Sequence, residues 1–161
     1  MEPVKLFISY AHEDETFKNE LLLYLNPLKR SGKIKIWSDG AILVGDKWDD
    51  KIKTAMDDCE IMLFLISPWF LASDYINDVE IKKAIERHKQ GKLRFIPIMV
   101  SQCDLESHII PNEEDKISDF QGLPRNMKPI DSWSPRGEGW MDVISGLKPA
   151  FDFTAQSRAS Q

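Results

Sequence analysis

Apolar residues in this chain fall into short unbroken runs that alternate with stretches of helical spacing. Val4-Lys5-Leu6-Phe7-Ile8-Ser9 is β-branched and aromatic and predicts a buried strand. It ends in the polar loop Tyr10–Asp14. Asp14 is expected to cap a helix in which Phe17, Leu21, Leu25 and Leu28 share one face, and Gly32 to end it. Ile34–Trp37 predicts a second strand. The connection after it, Ser38–Asp46, is apolar in its middle. Such a loop either tucks against the body or meets a partner or ligand, and the pattern does not choose between them. A helix follows from about Lys47, with Trp48, Ile52, Ala55 and Met56 on one face.

Glu60–Ile66 lacks alternation, as a strand buried on both faces should. Ser73–Ala84 then opens a helix. Leu93–Val100 predicts a fourth strand, in which Pro97 points to a nearby edge or a bulge. Residues 101–127 are polar and weakly patterned, and read as a long irregular segment with a helical turn near Phe120. Pro129-Ile130-Asp131 reads as a short fifth strand. Trp140, Val143, Ile144 and Leu147 mark a last helix, expected to stop before Pro149. The Ser/Gln-rich end, Ala155–Gln161, reads as disordered or as a linker. These readings divide the chain into a folded domain over residues 1–152 and a flexible tail or linker over 153–161.

Strand and helix alternate throughout, which predicts an α/β fold with a parallel sheet covered on both faces. Ligands of such sheets bind beyond the carboxyl ends of the strands. The segments leaving those ends are Ser9–Asp14, Ser38–Asp46 and Ser67–Asp74. They should converge on one rim, with the helix carrying Glu80 rising from the third. Glu80 lies about 90° from the centre of the face formed by Ile81, Ala84, Ile85 and His88. Three readings compete for it. It closes a capping box with Asn77, it pairs with Lys83 on a solvated face, or it looks into the rim crevice as a functional carboxylate.

Composition narrows the classes. The 161 residues, 42% hydrophobic and 29% charged, suit one globular domain. A net charge of -5 argues against nucleic acid as a direct partner. No apolar run approaches the ~20 residues of a membrane span, and no signal peptide follows Met1. Cys59 and Cys103 lack metal-type spacing, as do His12, His88 and His108, so no metal site is expected and a reduced, cytoplasmic protein is the simplest reading.

Several pieces in order resemble a bacterial Toll/interleukin-1 receptor (TIR) domain. They are Phe7-Ile8-Ser9-Tyr10-Ala11-His12-Glu13-Asp14, Ile36-Trp37-Ser38-Asp39 with Gly45 and Trp48, and Ser67-Pro68-Trp69-Phe70-Leu71-Ala72-Ser73-Asp74-Tyr75 with Glu80. Phe95-Ile96-Pro97-Ile98 with Cys103-Asp104, and Leu123-Pro124 with Pro129-Ile130 and Trp133, continue the match over roughly residues 4–150. The resemblance implies a flavodoxin-like three-layer fold, with a five-stranded parallel sheet and helices on both faces. In the enzymatic branch it implies cleavage of NAD between nicotinamide and ribose, with Glu80 at the position of the essential glutamate. It also implies a nucleotide site lined by Tyr10, Ala11, His12, Asp39, Gly45, Trp48, Tyr75 and Ile76. Ile76 stands where relatives commonly have Cys or Trp, and Ala11 where Ser or Arg is frequent.

A single carboxylate is chemically sufficient for that reaction. Nicotinamide leaves a cationic ring as a neutral molecule, so no proton donor is obligatory. The transition state resembles an oxocarbenium ion, which a carboxylate stabilises. NAD is then a substrate, with no cofactor implied. The family also implies self-association through TIR–TIR contacts, an effector role in anti-phage defence and a fused or separate sensor module. A non-catalytic adaptor working through the same contacts is the alternative, since fold does not fix function. A flavodoxin-like phosphate or flavin binder is disfavoured by the lack of a Gly-rich phosphate loop.

Overall fold

A computed structural model describes residues 2–37 and 47–159. Four parallel strands form one sheet in the order β2-β1-β3-β4: β1 is Val4–Ser9, β2 Ile34–Trp37, β3 Ile61–Ile66 and β4 Arg94–Met99. The helices are α1 (Glu15–Arg30), α2 (Trp48–Asp58), α3 (Pro68–Ala72), α4 (Lys82–Lys89) and α5 (Arg136–Ala159), and a π-helical turn, Ile76–Ile81, leads into α4.

Side-chain alternation along the strands sorts the interior into two layers. Met62, Phe64 and Ile66 of β3 face one core, with Ile52 and Met56 of α2 and with Ile81, Ala84 and Ile85. Ile61, Leu63 and Leu65 face the other, with Leu21 and Leu25 of α1 and Trp140, Val143 and Leu147 of α5. All six residues of β3 are buried, which is why that run shows no polar alternation. The flavodoxin-like reading, helices on both faces of a parallel sheet, therefore holds.

The strand count differs from expectation. Pro129–Asp131 is no fifth strand: Ile130–Ser132 is a 3-10 turn, and only the Asp131 amide reaches back, to Val100 O at 3.1 Å. Among the described residues the outer edge of β4 is met instead by Leu123 alone. Its N–H donates to Pro97 O at 2.9 Å, and its carbonyl accepts from Met99 N at 2.8 Å. The next amide that could face β4, that of Arg125, donates instead to Asp142 Oδ2 at 2.7 Å, so the pairing ends after one residue. Pro97 thus lies in the last strand of the four, where a missing donor is tolerated.

The last helix also departs from the reading. It runs through Pro149 to Ala159, so residues 153–159, expected to be tail or linker, form its last turns. A helix-interior proline costs about 3 kcal/mol. Beyond it Phe151 is buried in the core, and Arg158 Nε lies 3.0 Å from Glu60 Oε2. Tertiary contacts of this kind offset the local cost, and they are invisible to a proline-based boundary rule. Among the described residues no helix is long and apolar enough to cross a membrane.

Candidate functional site

The carboxyl ends of the strands do form a rim. A cavity of about 690 Å³ opens there between the loop after β1, the end of β2, α3 and the π-helical turn. Such a volume is in the ~300–1,000 Å³ range of small-molecule sites.

Two polar contacts hold the loops that shape it. Ser67, the first residue after β3, caps α3 by accepting from Phe70 N at 3.0 Å. The same hydroxyl donates to Asp14 Oδ2 across the rim. Asp14 therefore makes no side-chain cap to α1, contrary to the local pattern, and is buried between the loops leaving β1 and β3. Burial pushes its carboxyl above the ordinary value of 3.8, and the Ser67 hydrogen bond only partly opposes that. The native state then binds the proton more tightly than the unfolded chain. Asp14 consequently contributes most stability below pH 3.8, and that contribution is lost as pH rises through the folded value. Asp14→Asn is expected to keep the Ser67 contact and gain stability relative to wild type, by a few degrees in Tm at most, as pH rises from 3 to 7. Thermal melts of both proteins across that range check this; a variant that falls further behind with rising pH would refute it.

Glu80 sits at the base of the cavity, 6% exposed. Its Oε1 accepts from Ser9 Oγ, at the end of β1, over 3.1 Å. Neither local alternative forms. Asn77 lies inside the π-helical turn, and its Nδ2 donates to Leu71 O and Ser73 O at 3.0 and 2.7 Å. Lys83 pairs with Asp57 at 2.8 Å. A contact across 71 positions of sequence has displaced two contacts of three.

Tyr10, Ala11, His12, Tyr75 and Ile76 all line the cavity with Glu80. Ala11 and Ile76 are buried in its wall, His12 is exposed and Tyr75 stands at the mouth. Asp39 and Gly45 lie outside the described residues, and so does the side chain of Trp48, the first residue of α2. The structure adds lining residues that the sequence reading did not assign: Glu13, Trp37, Ile52 and Trp69. Trp37 stacks on Phe7 with ring centroids 5.2 Å apart and an interplanar angle of 10°. Trp69, 58% exposed in the first turn of α3, could have been flagged as an aromatic on a segment leaving a strand's carboxyl end. Ser9 could have been flagged as a hydroxyl closing an apolar run at a strand's carboxyl end.

The described lining combines aromatic rings with two carboxylates, Glu80 and Glu13, and includes no lysine or arginine. It suits a planar ligand carrying positive charge, which rings cover and a carboxylate attracts. No group of three His, Cys, Asp or Glu among the described residues could hold a metal ion.

Comparison with known proteins bears on the family and the fold. Residues 6–142 match the family model described as TIR domain. An uncharacterized protein of Sinorhizobium fredii (strain NBRC 101917 / NGR234), y4lF, is 34% identical over 145 residues, which is 90% of this chain. The chain spans 43% of that relative's length. The crystal structure of the TIR domain of the Toll-related receptor TRR-2 from Hydra magnipapillata superposes with a TM-score of 0.56 at 17% identity. That match covers 89% of this chain and 97% of the other.

Proposed function

We propose that this chain, which belongs to the TIR domain family, is an NAD glycohydrolase that breaks the bond between nicotinamide and ribose. The observation that carries the reading is the buried Glu80 carboxylate, oriented by Ser9 at the base of a cavity walled by aromatic rings. A nicotinamide ring bound there would bring its cationic nitrogen and the ribose carbon towards that carboxylate. As the C–N bond lengthens, positive charge moves onto the ribose, where a carboxylate fixed in a water-poor site stabilises it most. The bonding pair leaves with nicotinamide, which departs neutral. Water then adds to the ribose carbon and releases one proton, giving ADP-ribose. Capture by the substrate's own adenine nitrogen would give a cyclic isomer instead.

We place this activity in an assembly-activated effector of anti-phage immunity, working by TIR–TIR association under a fused or separate sensor module. The greater length of the Sinorhizobium relative is compatible with a fused module. The apolar Ala41-Ile42-Leu43-Val44 suits a contact that closes a neighbour's site. Leu43→Asp is then expected to lower activity at least about tenfold, the least that burying an unpaired charge should cost. Unchanged turnover in the clustered, folded variant would remove that loop from the assembly contact.

The primary test is incubation of concentrated or artificially clustered protein with NAD, with nicotinamide followed by chromatography. Release that grows with clustering supports the reading. A folded, clustered protein that leaves NAD intact would make the chain a non-catalytic TIR adaptor. The second product, linear or cyclic, identifies what captures the ribose.

A further inference from the structure

We infer that Asn77 and His108 form a positioning clamp that sets the π-helical turn carrying Glu80, and so tunes turnover without touching substrate. Asn77 is the second residue of that turn. Its side-chain amide donates to Leu71 O and Ser73 O, carbonyls at and just past the end of α3, and its backbone N–H also donates to Ser73 O at 3.1 Å. With both amide hydrogens engaged, Oδ1 has to point away from the chain. His108 Nε2 lies 2.6 Å from it. Because Asn77 Oδ1 can only accept, His108 must donate, which places its proton on Nε2.

His108 belongs to the long irregular segment after β4, and its ring is half-buried. Among the described residues its Nδ1 is buried with no hydrogen-bond partner. The ring's polar tie to the rest of the molecule is therefore the bond at its other nitrogen. That bond spans 31 positions and ties the segment after β4 to the turn that presents Glu80.

The physical consequence lies in the turn's geometry. A π-helical turn inserts one residue beyond the α-helical ladder and shifts the side chains on its two sides by about 100° in phase. Such turns are unfavourable alone and persist where surroundings hold them. Asn77 engages the start of this turn and Glu80 stands near its end, 6% exposed against Ser9. Loosening the start lets the turn relax towards regular helix and carries Glu80 off its line to the cavity. Asn77 and His108 are absent from the cavity lining, so neither is a contact residue for a ligand there.

The turnover arm of the test rests on the proposed activity, and a second arm does not. His108→Ala is expected to lower kcat for nicotinamide release by about 10–100-fold with KM within about twofold, as misplacing a reacting group does. His108→Gln, whose amide can reach Asn77 from a similar position, is expected to recover most of the loss. Independently of activity, hydrogen exchange of the amides of residues 76–81 should quicken in His108→Ala, while those of β1 and β3 stay protected. Unchanged exchange at 76–81 would overturn the clamp. So would exchange quickened evenly through the core with no rescue by Gln, because that is general destabilisation. If wild type does not cleave NAD, the catalytic proposal fails while the exchange arm still decides the clamp.

Discussion

Glu80→Gln is expected to abolish nearly all nicotinamide release by the clustered protein, by about 10²–10³-fold in kcat, with little change in KM. The range is that for removing one group that stabilises developing charge in a closed site. Gln keeps the volume and can still accept from Ser9 Oγ, so the 3.1 Å contact and the fold should persist. What disappears is the negative charge that the proposed reaction sets against the ribose. Single-turnover nicotinamide release, with circular dichroism to confirm folding, measures the effect. A Gln variant as active as wild type would mean that Glu80 is a structural partner of Ser9 and nothing more.

Phe64→Ala is expected to cause the largest stability loss, about 3–5 kcal/mol. Phe64 is fully buried in the middle of β3. It stacks on Phe95 with ring centroids 4.1 Å apart and meets the edge of Phe70 at 6.0 Å. Its neighbours in that core include Ile76 and Ile81, the two ends of the π-helical turn, so the cavity floor should loosen as well. Phe153, 58% exposed on α5, provides the contrast: its change to Ala should cost about 0.5 kcal/mol or less. Urea unfolding of the three proteins compares them directly. Losses of similar size at both positions would show that the stacked cluster carries no special share of the core.

The α/β architecture was legible because burial on two faces leaves an unmistakable mark. Glu60–Ile66 and Val4–Ser9 read as strands since nearly every position must be apolar in the middle of a covered parallel sheet. Gly32, with φ at 80°, ended α1 as its backbone freedom suggested. The convergence of the loops after β1 and β3 followed from strand direction alone.

What failed were boundaries and local polar pairings, where a short sequence window competes with the rest of the molecule. Pro129–Asp131 has strand-like residues but meets the sheet through one amide. Pro149 should stop a helix, yet Phe151 and Arg158 find partners on the body and the helix continues. Asp14 looks like a cap and instead fastens Ser67.

By itself, the order of residues determined the fold class, the rim on which a ligand site could form and the candidacy of Glu80. Only the tertiary structure decided which way Glu80 turns. Its helical phase left it on the border between solvent and interior, with Asn77 and Lys83 as rivals. Asn77 is drawn to Leu71, Ser73 and His108, and Lys83 to Asp57. The π-helical turn shifts the phase, and the carboxylate meets Ser9 at the base of the cavity. A periodicity of 3.6 contains no term for that extra residue, because contacts 31 and 71 positions away accompany it.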